Sequence, residues 1–376
     1  MFRGPLSFKE LPVKITSVDL TPVASRRETG ELSRHVVVQF NTDEGLVGLG
    51  EMSDVHDWGV MYDAADIKAA YESILVGSDP LDHHLITRAA RGRLRMGGAI
   101  RAGFEIALFD LIGKSQGRSV AGVFGGALEN KMRVCYPIFR NYSREDAEAN
   151  IKRVDRRMGE GQDLFRLYHG GNIEADEIFL DGVKSNHGDK FELKSLDFSG
   201  VHKWKHVVKA IGILSQYYAP ILCESVSDRG DLEGQIEVRR QIDFPISEHV
   251  SSLNQAYQFA HHRYVDIYNI SLCGAGGLTN AIHMAQVAES AGLSVLVGTT
   301  QELSIGVAAQ ATFGCITENL DFPGDCTGGQ LYQSDVVKNP IQYEKGYVLL
   351  PDGPGLGMEL DEEKIAAISE PLSSVR

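Results

Sequence analysis

Phe191-Glu-Leu-Lys-Ser-Leu196 followed by Asp197 is a short, largely apolar run that ends on a carboxylate, and the pattern recurs along the chain. Pro220-Ile-Leu-Cys223 leads into Glu224, and Phe244-Pro-Ile246 leads through Ser247 into Glu248. Upstream stand Val134-Cys-Tyr-Pro-Ile-Phe139 and Leu164-Phe-Arg-Leu-Tyr168; downstream stand Val265-Asp-Ile-Tyr-Asn-Ile270 and Leu293-Ser-Val-Leu-Val297. Successive runs are spaced roughly 24 to 29 residues apart, the length of one strand-plus-helix unit, with charged helix-prone stretches between them. Seven such units, completed by the apolar stretch Ala308 to Cys315, predict an α/β barrel of the TIM type. An open doubly wound sheet gives the same alternation, but the GxGxxG turn that such sheets place after an early strand is missing.

Outside the repeats the texture changes. Val13 to Val23 and His35 to Gln39 are rich in β-branched residues, and Asn41-Thr-Asp-Glu-Gly45 between Phe40 and Leu46 reads as a hairpin turn. Ile100, Phe104, Leu108 and Leu111 recur at helical spacing between Met96 and Gly113, with Gly113 and Gly117 where such a helix would stop. The first part is therefore α+β. The tail Tyr347 to Met358 is too turn-rich for a barrel helix and is expected to fold back on that first part. The divisions expected are residues 1–130, 131–335 and 336–376.

At 376 residues the chain exceeds what one hydrophobic core usually serves. Its 43% hydrophobic and 23% charged residues are those of an ordinary globular protein, and a net charge of -14 repels nucleic acid and anionic lipid. Five scattered cysteines without a CxxC pair argue against a disulfide framework or zinc ribbon and for a reducing cytoplasm. No segment approaches the roughly 20 apolar residues of a membrane span. The expected partner is a small molecule.

In a barrel of this kind reactive side chains stand at the C-terminal ends of the strands. Asp197, Glu224 and Glu248 would then converge from neighbouring strands, and three such carboxylates repel unless a hard cation, Mg²⁺ above all, neutralises them. Taken singly, each is an ordinary strand-end or capping acid.

The segments Asp43-Glu-Gly-Leu-Val-Gly-Leu-Gly-Glu51, Glu105 to Lys114, Val123-Phe-Gly-Gly-Ala127, Leu196-Asp-Phe-Ser-Gly200, Ile246-Ser-Glu-His249, Gly274-Ala-Gly-Gly-Leu-Thr279, Val297 to Glu302 and Asp352-Gly-Pro-Gly-Leu-Gly357 occur in order along the chain. Together they resemble the enolase superfamily, in its mandelate racemase and muconate lactonising branch. The resemblance implies a modified (β/α)7β barrel under an α+β capping domain built from both chain ends. It implies Mg²⁺ held by Asp197, Glu224 and Glu248, a carboxylate substrate whose α-proton is removed to give an enediolate, and a homo-oligomer, dimer or octamer.

The acid/base positions depart from that pattern. Where the branch carries Lys-x-Lys, this chain has Arg166-Leu-Tyr168, and a guanidinium beside a phenol is expected to lower its pKa and make Tyr168 the general base. The alternative is that Tyr168 packs under the cap and Arg166 pairs with a carboxylate. Ser271 and Gly298 stand where opposite-face bases are usual, which weighs against racemisation. Glu302 matches a position that hydrogen-bonds or protonates substrate; His249 is a candidate substrate or ligand-orienting residue; and His169 is the runner-up base, although strand alternation points it away from Tyr168. Two capping loops, residues 25–31 and 53–62, the second carrying His56, Asp57 and Trp58, correspond to those that close over substrate. The leading expectation is dehydration of an acid sugar. The alternatives are a racemase, epimerase or cycloisomerase of the same family, and a metal-binding barrel that has lost catalysis.

Overall fold

The computed structural model describes residues 13–53, 63–94 and 97–371. Strands β1 (Ile15–Arg26), β2 (Leu32–Thr42) and β3 (Val47–Met52) form an antiparallel meander, followed by helices α1 (Ala64–Leu75), α2 (His83–Arg93), α3 (Gly98–Gln116) and α4 (Val120–Val123). The turn between β2 and β3 closes through Thr42 N–H to Leu46 O, and α3 ends on Gly117 in the left-handed region at φ 63°. Glycine adopts that conformation without the Cβ penalty, so it stops the helix cleanly.

Strand β4 (Lys131–Arg133) pairs with a C-terminal hairpin, and then the repeats begin. Strands β5 (Tyr136–Ile138), β6 (Leu164–Tyr168), β7 (Glu192–Asp197), β8 (Leu222–Glu224), β9 (Ile246–His249), β10 (Ile267–Ile270) and β11 (Ser294–Val297) line up in that order as one curled parallel sheet. Helices α5 (Arg144–Gly159), α6 (Ile173–His187), α7 (Trp204–Leu214), α8 (Leu232–Arg239), α9 (Leu253–His262), α10 (Leu272–Ala275) and α11 (Leu278–Ser290) alternate with them. Each long helix opens on a fitting signal where the sequence provides one: Ser143 and Asp146 form a capping box on α5, and Asp231 caps α8.

The expected last unit at Ala308 to Cys315 is instead part of helix α12 (Ser304–Cys315), buried on every side. Its Ala- and Gly-rich composition lacks the β-branched run of a strand, and a helix apolar all round is an interior helix. The ring is closed by an irregular segment further on. Asp325 N–H bonds to Val297 O on β11, Gly324 N–H to Arg133 O, and Cys135 N–H to Gly324 O. This closure is what turns the Asp325 side chain into the barrel.

Along β6 the residues alternate: Phe165 and Leu167 pack outward against helices with Leu193 and Leu196 of β7, so Arg166 and Tyr168 face inward. A small apolar floor of Leu222, Ile267 and Leu296 plugs the barrel beneath. In β7 the register slips between Phe165/Leu193 and Arg166/Ser195, leaving Lys194 as the extra residue of a β-bulge. Bulges re-aim side chains; here Lys194, fully buried, is carried onto the inner carboxylates.

The capping sheet is fixed to the barrel by Glu51. Its carboxylate lies 2.9 Å from His35 Nδ1 and accepts from Leu303 N (2.8 Å) and Gly306 N (2.7 Å) at the start of α12. The chain end returns here as well: buried Asp110 of α3 accepts from Leu49 N and Leu356 N, both at 2.7 Å. After α13 (Gly328–Leu331), strands β12 (Tyr343–Glu344) and β13 (Tyr347–Leu349) form a hairpin whose second strand, β13, pairs with β4.

Candidate active site

Asp197 and Glu224 end adjacent parallel strands in direct register. Asp197 Oδ1 accepts from Ser199 N at 2.7 Å, and Glu224 Oε1 from Asn269 Nδ2 at 2.9 Å; Glu224 Oε2 is buried without a donor. Both carboxylates face Arg166, whose Nη1 lies 3.7 Å from Glu224 Oε1, 3.9 Å from Asp197 Oδ2 and 3.2 Å from Asp325 Oδ2. Lys194 Nζ sits 2.6 Å from Asp325 Oδ1, which also accepts from Cys135 Sγ at 3.0 Å. The barrel centre is thus a nest of buried opposite charges. Burial, and then the charge of Glu224, push Asp197 above the usual carboxylate range. Burial pushes Glu224 the same way, but His249, Arg166 and Lys194 outweigh it and hold that carboxyl low.

Glu248, the expected third ligand, stands on the next strand, within reach of the charge of Glu224, and makes contacts of its own. Its Oε1 accepts from Ser225 Oγ (2.9 Å) and from His249 N (2.8 Å). Register explains this: His249 stands opposite Asn269 on β10, so these two side chains share an inner layer and both reach Glu224 Oε1, His249 Nε2 at 3.3 Å. Among the described residues no three His, Cys, Asp or Glu side chains are grouped to hold a metal ion. Ser199 and Ser225, following the two strand-end carboxylates, both have left-handed φ (55° and 51°), a strain that non-glycine residues carry at functional loops.

His249 is about half exposed (48%) and is raised to about 9: burial lowers it, but the hydrogen bond and charge of Glu224, with Glu248 and Asp197, more than reverse that. A raised folded pKa contributes stability that is complete below the ordinary value of 6.5 and is lost as pH climbs through the folded value. Unfolding midpoints of the chelator-treated protein are therefore expected to fall between pH 6.5 and 9, and His249→Gln to flatten that slope. An unchanged slope in the variant would place its origin elsewhere.

Tyr168 stacks on Phe139 (5.9 Å between centroids, 5° between planes), with guanidinium carbons of Arg166 and Arg140 at 4.5 and 5.6 Å from its ring centre. Its hydroxyl bonds to no described residue. The expected lowering of its pKa is not what the structure gives. Burial raises it; Arg166 pulls it back, but Asp197, Glu224 and Asp325 add to the rise, leaving the phenol well above its ordinary range. Arg166 does act on Tyr168, but burial and the three carboxylates together outweigh it.

Three further expectations change. His169 is buried on the outer side of β6, with Nδ1 2.6 Å from Asp176 Oδ2 and Nε2 2.7 Å from His206 Nε2, so both ring nitrogens are engaged away from Tyr168. Ser271 caps α10, its Oγ accepting from Gly274 N at 3.0 Å. Loop 25–31 is the tip of the β1–β2 hairpin and docks on α5: Glu28 binds Arg156 (2.5 Å), Arg157 (2.9 Å), Arg153 (3.3 Å) and the Tyr136 hydroxyl. Glu302 is buried, accepting from Thr299 Oγ1 (2.6 Å) and Thr300 Oγ1 (2.7 Å), with Ser53 Oγ at 3.5 Å. His56, Asp57 and Trp58 lie outside the described residues.

Gly298 offers no side chain at the position where an opposite-face base is usual. A Cβ on Gly298 would lie 1.9 Å from Asn269 Oδ1, so this position has no room for a base. Gly298→Ala is expected to push Asn269 off Glu224 and to cost about 1–3 kcal/mol, as overpacking does; urea unfolding would reveal it, and a neutral result would mean that Asn269 moves freely. The residues missed in the sequence are Lys194, Asn269, Asp325 and Arg140. The first two left a trace as polar residues inside apolar runs.

The chain matches the family profile described as enolase C-terminal domain-like over residues 147–364, and that of the mandelate racemase / muconate lactonizing enzyme N-terminal domain over residues 10–125. It is 24% identical to the chloromuconate cycloisomerase of Pseudomonas putida, covering 94% of this chain and 98% of that one. It is also 24% identical to an N-succinyl-L-Arg/Lys racemase of Bacillus cereus, over 89% and 90% of the two chains. The solved 2-chloromuconate cycloisomerase of Rhodococcus opacus superposes with a TM-score of 0.85 at 23% identity, over 95% of this chain and 99% of that one.

Proposed function

Because the chain belongs to the mandelate racemase and muconate lactonizing enzyme family of the enolase superfamily, we propose that it is an isomerase moving a proton at the carbon beside a carboxylate, specifically a cycloisomerase. The observation that carries the reading is that neither usual position of an opposite-face base offers one. Tyr168 offers a free hydroxyl on one face, while Ser271 is engaged in a helix cap and Gly298 is sealed by Asn269. Racemisation needs proton-carrying groups on both faces. Ring closure needs one: an internal oxygen nucleophile adds to a double bond conjugated with the carboxylate, and the carbanion formed beside that carboxylate takes one proton. Acid-sugar dehydration also runs on one face, but it begins with abstraction, for which a phenol held in its protonated form is poorly suited. A protonated Tyr168 suits donation.

Asp197 and Glu224, an all-oxygen pair with Glu224 Oε2 lacking a donor, fit a hard divalent cation. Mg²⁺ bound there supplies charge neutralisation of the substrate carboxylate. Arg166 and Lys194 keep the carboxylates oriented, and Tyr168 Oη delivers its proton to the α-carbon and regains one from solvent. The test is an assay of cis,cis-muconate and other unsaturated acids with Mg²⁺ in D₂O. One deuterium placed on a single face of a cyclic product is expected. Exchange on both faces of a saturated α-carbon would make it a racemase, and a 2-keto product from acid sugars would restore the dehydratase.

A further inference from the structure

On the outer side of β6, away from Arg166 and Tyr168, stand three histidines that the proposed reaction does not use. His169 is fully buried; His202 and His206, four residues apart at the start of α7, are half-buried beside it. The three rings form a near-equilateral triangle, with centroids 5.0 Å apart for His169 and His202, 5.0 Å for His169 and His206, and 5.3 Å for His202 and His206. Three imidazoles bound through nitrogen to one tetrahedral cation at about 2.0–2.1 Å hold their centroids roughly 5.2 Å apart, so the rings already have that spacing. His169 Nε2 and His206 Nε2 approach to 2.7 Å. Asp176 Oδ2 lies 2.6 Å from His169 Nδ1, and its other oxygen accepts from Asn141 Nδ2 at 2.9 Å. A carboxylate accepting from Nδ1–H fixes the tautomer that leaves a lone pair on Nε2, which is how metal-binding histidines are oriented. His202 Nε2 lies 3.3 Å from His169 O, so as the rings stand two nitrogens converge and the third is turned aside onto the backbone.

We propose that His169 and His206, with His202 turning in as the third nitrogen, bind a divalent transition-metal cation of the Zn²⁺ class at a site separate from Asp197 and Glu224. The ion takes the place of the proton between the two Nε2 atoms, and His206 keeps its own proton on Nδ1. The gap between those atoms must widen from 2.7 Å to about 3.0–3.4 Å, the spacing of two nitrogens on one such ion. His206 can supply that movement because it is half-buried on the first turn of α7. Ligating imidazoles must be neutral, and burial followed by the neighbouring His169 holds both His202 and His206 below their ordinary value. A Cβ on Gly171 would lie 3.3 Å from His202 Cε1, so glycine there leaves that ring room to turn. Nitrogen ligands favour Zn²⁺ over Mg²⁺, so the two sites sort their metals by ligand chemistry. The bound ion ties the end of β6 to the start of α7.

The test is a calorimetric titration of the full chain with Zn²⁺ in excess Mg²⁺, which competes for the oxygen site. Saturable binding is expected in the wild type, weakened by about 10-fold or more in His206→Gln and in His202→Gln. Asp176→Asn, which alters a positioning residue, is expected to weaken it by about 10- to 100-fold. Cu²⁺ bound in place of Zn²⁺ is expected to show imidazole-nitrogen splitting in its electron paramagnetic resonance spectrum, kept in Asp176→Asn and reduced in His206→Gln. Should the histidine variants not fold, protection of His206 from diethyl pyrocarbonate by Zn²⁺ in the wild type, read by peptide mass spectrometry, carries the test. No saturable Zn²⁺ binding, an affinity unchanged in either histidine variant, or a His206 that Zn²⁺ leaves unprotected overturns the proposal.

Discussion

Asp325→Ala is expected to destabilise the protein by about 3–5 kcal/mol, the cost of leaving buried charges without their partner. Asp325 is 1% exposed and is the shared counter-ion of Arg166 at 3.2 Å and Lys194 at 2.6 Å, themselves 3% and 0% exposed. Arg166 has Glu224 and Asp197 to fall back on, but only at 3.7 and 3.9 Å, and Lys194 has Glu224 at 3.9 Å. None of these three replacement contacts has the distance of a hydrogen bond, so the desolvation of two cations would stand largely uncompensated. Asp325→Asn keeps an acceptor oxygen for Lys194 and is expected to lose less. Denaturant unfolding of both variants checks the order; a loss below about 1 kcal/mol for Asp325→Ala would show that water or a rearranged Glu224 takes over.

This charge nest also shows where sequence reading stops. Asp197 and Glu224 were legible because strand ends carry side chains to the mouth of a barrel, and that rule needs only the positions of apolar runs. His169 was legible as an outward residue by alternation alone. Glu248 and His249 were not separable, because which of two neighbours faces inward depends on the register of β9 against β10, and register is a property of the pairing, not of the run Phe244-Pro-Ile246. Lys194 reaches the centre through a bulge, which breaks the very alternation from which inward residues are inferred. Asp325 comes from a segment with neither helical nor strand period, where Gly324 and Asp325 bond backbone to backbone across the gap between β11 and β5. The failed expectation for Tyr168 has the same root: an arginine two residues away was counted as its partner before the three carboxylates that compete for that arginine were in place.

Tyr168→Phe is the second large effect, and it is expected in rate rather than in stability. The substitution removes a hydroxyl that bonds to no described residue and keeps the ring that stacks on Phe139 and lies beside Arg166 and Arg140. Unfolding free energy should therefore change by no more than about 0.5 kcal/mol, as for substitutions that break no partnered contact. Loss of the proposed proton donor should slow turnover by about 10²- to 10⁴-fold, the range of a positioned acid or base. Because burial, the largest influence on the phenol, raises its pKa, the wild-type rate should stay flat through neutral pH rather than rise with a tyrosine titration in the assay range. Substrate affinity should change little, since the hydroxyl acts on the carbon that gains the proton and not on the carboxylate. A Tyr168→Phe enzyme that turns over at the wild-type rate would move the donor to another group; one that loses binding together with rate would make Tyr168 a substrate-positioning residue instead.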